Sequence, residues 1–136
     1  MQSLGLLVNF GLFVFIWTVQ IIIYPSFFEV DEKRFAAWHD RYMTQVSFLA
    51  APLMITQVLI LGWLLIQSIP DPSLLAQSIL VLFVWIVTVF VSIPCHRVLA
   101  VKKDGPQIAR LVSSNWLRTA AWSLVALLDW LPEFRL

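Results

Sequence analysis

Ser113-Ser114-Asn115-Trp116-Leu117-Arg118-Thr119 lies inside the last long apolar segment of the chain, and its one charge decides how that segment is read. Ten uncharged residues separate Arg118 from Asp129. A bilayer crossing takes about 20 helical residues. A spanning helix must therefore begin N-terminal to Arg118, which places the guanidinium below the membrane surface. An ionisable group at that depth is costly, needs a partner or a watery cavity, and marks a candidate functional site.

Composition sets the same frame for the whole chain. Of its 136 residues, 60% are hydrophobic and 12% charged, with mean hydropathy +0.86. Soluble domains carry about 25% charged residues. A chain this short has no soluble core that could hide so much apolar surface, so its expected solvent is lipid. The net charge of +1 gives no reason to expect nucleic acid as a partner. The single Cys95 excludes an intrachain disulfide and any multi-cysteine metal site. The uncharged run from Met1 to Phe28 has no basic leader and exceeds a signal-peptide core, so it reads as a retained helix.

The fold class expected is all-α, an integral membrane four-helix bundle of antiparallel, up-down order in a single domain. The first helix is expected over about 3–24, stopped by Pro25. A short amphipathic helix is expected over 29–42, where Phe35, Trp38, His39 and Tyr42 share one stripe and Asp31 can cap the start. The same stretch can also be read as an extension of the second helix, expected over 44–69 with Pro52 near its start. Pro70-Asp71-Pro72-Ser73 makes a tight turn, which only an antiparallel hairpin satisfies. The third helix is expected over 74–101, with Thr88, Ser92 and His96 on one face around Pro94. Gly105-Pro106 then opens the fourth, expected over 107–131 and stopped by Pro132. On it Asn115, Arg118, Thr119 and Trp122 fall at i, i+3, i+4 and i+7, one polar stripe on an apolar helix.

Charge sets the expected orientation. Lys33, Arg34 and Arg41 lie at the first connection; Arg97, Lys102, Lys103 and Arg110 at the third. The second turn has none, and Arg135 is alone on that side. The positive-inside rule puts both termini outside the cytoplasm, in a bacterial inner or equivalent membrane. His39, Tyr42, His96, Asn115 and Arg118 then come from three segments to one depth, near the cytoplasmic side. Asp71, Asp129, Glu133 and Arg135 read as ordinary polar residues at helix ends.

Each candidate has a functional and a plainer reading. Arg118 could clamp an anion or steady developing negative charge. It could equally snorkel, or pair with Glu29, Asp31 or Asp40. His96 and His39 could relay protons or ligate haem axially, or could be hydrogen-bonded interfacial residues. No Cys-x-x-Cys-His exists, so covalent c-type haem is excluded. Asn115 could orient a ligand or join helices. Trp116, Trp122, Tyr42, Thr119 and Ser92 could line a pocket.

Two segments, Pro94-Cys95-His96-Arg97-Val98-Leu99 and Leu111-Val112-Ser113-Ser114-Asn115-Trp116-Leu117-Arg118-Thr119, resemble the small four-helix membrane proteins of the anthrone-oxygenase-like group. The resemblance covers the C-terminal third. It implies, for some members, cofactor-independent oxygenation of an aromatic polyketide anthrone. At the position of His96 that group often has Asn, a departure that bears on the chemistry.

The expected function is a cytoplasmic-side polar pocket for a lipophilic small molecule, used as an oxygenase or oxidoreductase on an aromatic or quinone-like substrate. His96, Arg118 and Asn115 would be catalytic; His39, Tyr42, Trp116, Trp122, Thr119 and Ser92 would bind ligand. The sequence identifies no cofactor and no metal site. The alternatives are a non-catalytic subunit of a larger membrane complex or homo-oligomer, and a bis-His haem or metal protein.

Overall fold

In the computed structural model, residues 2–67, 69 and 71–130 are described; the expected roles of Pro70, Leu131, Pro132, Glu133 and Arg135 lie outside them. Among the described residues the chain forms four helical rods and no strand. The first, α1, is α-helical over Gln2–Thr18, widens into a π turn over Val19–Ile23 and closes over Tyr24–Ser26. The second, α2, is one α-helix, Glu32–Gln67. The third, α3, runs Pro72–Val87, then a π turn Thr88–Ser92, then Ile93–Leu99. The fourth, α4, is Gly105–Trp130, with Pro106 in its first turn as expected.

Three expected boundaries are corrected. There is no separate amphipathic helix over 29–42, because nothing between Tyr42 and Thr44 breaks the ladder and the stripe continues into α2. Asp31 accepts from the Lys33 backbone N–H at 3.0 Å at the start of that helix. Pro52 is contained within it. Pro25 does not stop α1 at Tyr24. Proline lacks the N–H its own turn requires and crowds the carbonyl four residues back. The π turn that begins six residues before Pro25 loosens that contact, and α1 continues to Ser26. The same construction, a π turn beginning six residues before Pro94, occurs in α3, which then ends at Leu99 rather than 101. Single π turns of this kind often sit at functional sites.

The α1, α2 and α3 rods are long and apolar enough to cross a membrane. The α4 helix is not among them, because its polar stripe lowers its mean hydropathy. That stripe is hidden: Asn115, Arg118, Thr119 and Trp122 all face the bundle interior. The outer surface is apolar instead, with Phe48 87% and Phe90 71% exposed. This inversion suits a lipid solvent. At about 1.5 Å per residue α2 is about 54 Å long, well beyond a hydrocarbon core of about 30 Å, so its charged first turns have length to spare.

Leu12, Ile16, Phe27, Phe35, Leu99, Ile108, Leu111 and Trp122 form the heart of the core. Polar contacts fix the register between rods. On α1 and α4, Asn9 meets Asp129, Trp17 meets Ser123, and Gln20 meets Asn115. The two charged connections are tied together, since Lys103 Nζ donates to the carbonyls of Phe28 and Val30.

Candidate functional site

The two π turns bring polar side chains to one level of the bundle. Gln20 lies within the first and Tyr24 follows it; Ser92 ends the second and His96 follows Pro94. Across from them stand His39 of α2 and Asn115 and Arg118 of α4. His39 is fully buried and its Nε2 lies 3.0 Å from His96 Nδ1. His96 Nε2 in turn lies 3.2 Å from Tyr24 Oη. Three side chains from three helices thus form one hydrogen-bonded row.

That row has two proton settings. In one, Tyr24 donates to His96, His96 donates to His39, and His39 Nδ1 carries a free N–H. In the other, His39 donates to His96, His96 donates to Tyr24, and the phenolic O–H is free. Switching between them moves one proton's worth of charge from end to end without moving a heavy atom. Phe27 packs edge-on against Tyr24, Trp38, His39, Tyr42 and His96, and Phe35 stacks on His39. These rings pack around the row on the side of Phe27 and Phe35.

Arg118 is only 6% exposed and points inward. Snorkelling is overturned, and so is pairing with Glu29, Asp31 or Asp40. Among the described residues its hydrogen-bond partners are neutral: Nη1 donates to Asn115 Oδ1 at 3.2 Å and reaches Ser92 Oγ at 3.5 Å. Its guanidinium carbon lies 5.3 Å from the Trp122 ring centre. Asn115 is held in place in turn, its Nδ2 donating to Gln20 Oε1 at 2.9 Å while Gln20 Nε2 donates to the Val112 carbonyl. Thr119 Oγ1 donates to the Asn115 carbonyl at 3.0 Å and approaches Gln20 Oε1 at 3.4 Å.

Tyr24, Tyr42, Trp85, Ser92, His96 and Arg118 line a cavity of about 270 Å³ between α1, α2 and α3. The α2 wall is cut back to Ser47, Ala50 and Ala51, which leaves room there. Among the described residues three buried donor or acceptor atoms have no hydrogen-bond partner, namely His39 Nδ1, Trp85 Nε1 and Arg118 Nε. Trp85 and Arg118 belong to the cavity wall, and His39 is bonded to a third wall residue, His96. Native proteins leave few buried polar atoms unpaired, and each such atom calls for an explanation.

Of the residues singled out from sequence, His39, Tyr42, Ser92, His96, Asn115, Arg118, Thr119 and Trp122 come together. Thr119 and Trp122 support Asn115, Gln57 and Arg118 rather than line the cavity. Trp116 does not join them. It is half exposed and packs edge-to-face on Trp17, because it sits one residue, about 100° of helix, from Asn115. Tyr24, Gln20 and Trp85 were not anticipated as site residues; the four-residue spacing of Gln20 and Tyr24, which puts them on one helix face, is the signal that could have found two of them.

Axial haem ligation does not fit this pair. The facing histidine nitrogens are 3.0 Å apart, whereas opposed ligands of one ion stand about twice a metal–nitrogen bond of ~2 Å apart. Among the described residues no group of three His, Cys, Asp or Glu could hold a metal. Asp129, read above as an ordinary helix-end residue, is instead half-buried and hydrogen-bonded to Asn9 and Gln77.

No family model matches this chain, and no curated protein and no solved structure is significantly similar to it.

Proposed function

We propose that this chain is an integral membrane protein of antiparallel, up-down order whose cavity at Arg118 binds a lipophilic aromatic molecule bearing a carbonyl or oxyanion. The falling register of α4 against α1 (residues 129, 123 and 115 against 9, 17 and 20) supports the up-down order. The apolar outer surface supports insertion, and the clustering of Lys and Arg at two connections supports a cytoplasmic position for that end, in a bacterial inner or equivalent membrane.

The observation that carries the binding role is Arg118, a buried guanidinium with neutral partners only and Nε unused, on the wall of a cavity. A charge there is compensated best by a ligand oxygen. A guanidinium fork suits an enolate, phenolate or quinone oxygen. The Tyr24–His96–His39 row lies on the same cavity and can take up or return a proton as charge develops on that oxygen. Asn115 holds Arg118 in place. The reaction class this supports is oxygenation or oxidoreduction of an aromatic or quinone-like substrate, the class implied by the anthrone-oxygenase-like resemblance.

Decylubiquinone and anthrone serve as probes. Titrated into the detergent-solubilised protein, at least one should quench tryptophan fluorescence saturably, and Arg118→Gln should weaken that binding at least tenfold. Equal binding by wild type and Arg118→Gln would sink the proposal.

A further inference from the structure

A second cavity, of about 710 Å³, lies at the other end of the bundle. Its wall is mostly apolar, from Leu6, Phe10, Ile60 and Leu64 among others, with Asp129 and Trp130 beside them. The volume falls in the range of small-molecule sites, about 300–1,000 Å³. It shares no lining residue with the cavity at Arg118.

Asp129 is held in a fixed position there. Asn9 Nδ2 donates to its Oδ2 at 2.8 Å, and Gln77 Nε2 donates to its Oδ1 at 3.2 Å. Both amides are themselves held. Gln57 Nε2 donates to Asn9 Oδ1 at 2.7 Å, Trp122 Nε1 donates to Gln57 Oε1 at 3.1 Å, and Gln77 also reaches Ser73 Oγ. Asn9, Gln57, Gln77 and Ser73 are all buried. A network of donors thus converges on one carboxylate from the protein side. Two donors leave about two of its four lone-pair sites unused. Among the described residues no Lys or Arg pairs with it.

From this carboxylate, its cavity and its aromatic neighbour we infer that the cavity is a second ligand site, for an amphiphile with an ammonium head and an apolar body. Asp129 supplies the countercharge, Trp130 a ring face for the cation, and the leucine and isoleucine wall takes the chain. A neutral or anionic head would leave this half-buried carboxylate with its amide donors but with no countercharge among the described residues. The ammonium could belong to a membrane lipid such as phosphatidylethanolamine or to a free alkylamine.

The test uses the full chain in nanodiscs of phosphatidylglycerol, titrated with dodecylamine (an ammonium at pH 7) and with dodecanol, by calorimetry. One dodecylammonium per chain should bind at least tenfold tighter than dodecanol. Asp129→Asn should remove that preference. Gly5→Leu is the second variant, since a Cβ there would sit 3.6 Å from Ile60 Cγ2, an ordinary contact, and the rest of the side chain would add bulk at the wall that Gly5 and Ile60 share. It should abolish binding while the carboxylate and its donors stay in place. Arg118→Gln should bind dodecylammonium as wild type does. In discs containing phosphatidylethanolamine, weakened dodecylammonium binding identifies a lipid headgroup as the occupant, and unchanged binding a free amine; both support an ammonium site. Equal affinity for dodecanol, or wild-type binding by Asp129→Asn, overturns it.

Discussion

Arg118 is the residue whose energetics separate a structural role from a binding one. A guanidinium at the centre of a membrane helix costs about 2.5–3.5 kcal/mol. Against that stand two hydrogen bonds to neutral partners, about 0.6 kcal/mol each, and a cation–π contact of about 0.5–2 kcal/mol. The terms nearly cancel. Arg118→Met, similar in length, should therefore change stability by less than about 1 kcal/mol, measured by thermal unfolding in detergent. Removing one partner of a buried ion pair costs about 3–5 kcal/mol, and a loss of that size would show Arg118 to be a structural residue. The histidine row invites a complementary test. Tyr24→Phe removes the hydroxyl that meets His96 Nε2 and keeps the aromatic ring in the cavity wall. Probe affinity should stay within about twofold, while any turnover of anthrone should fall about 10²–10⁴-fold, the usual worth of a positioned acid–base group. A matching loss of affinity would instead make Tyr24 a binding residue.

At the scale of elements, the π turns set the side-chain directions. Each adds a residue to its helix, so everything beyond it is rotated by about 100° relative to an uninterrupted α-helix. In α3 that rotation turns His96 to meet His39 and Tyr24 while Ser92 still reaches Arg118. Phe90 lies within the turn and faces outward. Deleting Phe90 should restore the α-helical ladder at little cost in buried surface and swing His96 out of the row. Helix content by circular dichroism should be retained and decylubiquinone or anthrone binding lost; retained binding would show that the π turn does not position the site. These turns also mark where sequence reading ran short. Pro25 and Pro94 were legible as interruptions, but proline chemistry does not say whether a helix stops, kinks or widens. The amphipathic stripe of Phe35, Trp38, His39 and Tyr42 was legible for the same periodicity that makes it helical. Its continuity with α2 depended on the absence of any breaker at Met43, a weak signal. Trp116 was misplaced because adjacency to Asn115 in sequence means divergence on a helix.

Across the whole molecule, the meeting of His39, His96, Asn115 and Arg118 was legible because all four lie at similar distances along their helices from the two charged connections. The polar network at the other end was not. Asn9 and Gln57 are polar residues on apolar helices and Asp129 reads as an ordinary helix-end residue, and spacing along one helix does not give its rotation against another. The structure makes Gln57 the central member of that network: it accepts from Trp122, whose ring underlies Arg118, and donates to Asn9, which donates to Asp129. Gln57→Leu should leave two buried groups unpaired and destabilise the bundle by about 2–6 kcal/mol, at about 1–3 kcal/mol for each. Combined with Asn9→Leu it should cost less than the sum of the single changes, because the second substitution removes a group the first has already orphaned. Strict additivity in thermal or steric-trap unfolding would mean that these contacts act separately. The same network runs from the cavity at Arg118 toward the one at Asp129 at the other end of the bundle. Lys102 and Ile69 are exposed at opposite ends, while native Cys95 is fully buried and should stay silent to a polar reagent. Under the orientation proposed above, a membrane-impermeant maleimide should label Ile69→Cys on intact cells and Lys102→Cys only after permeabilisation. The reverse pattern would place Arg118 and the histidine row toward the outside and Asp129 toward the cytoplasm.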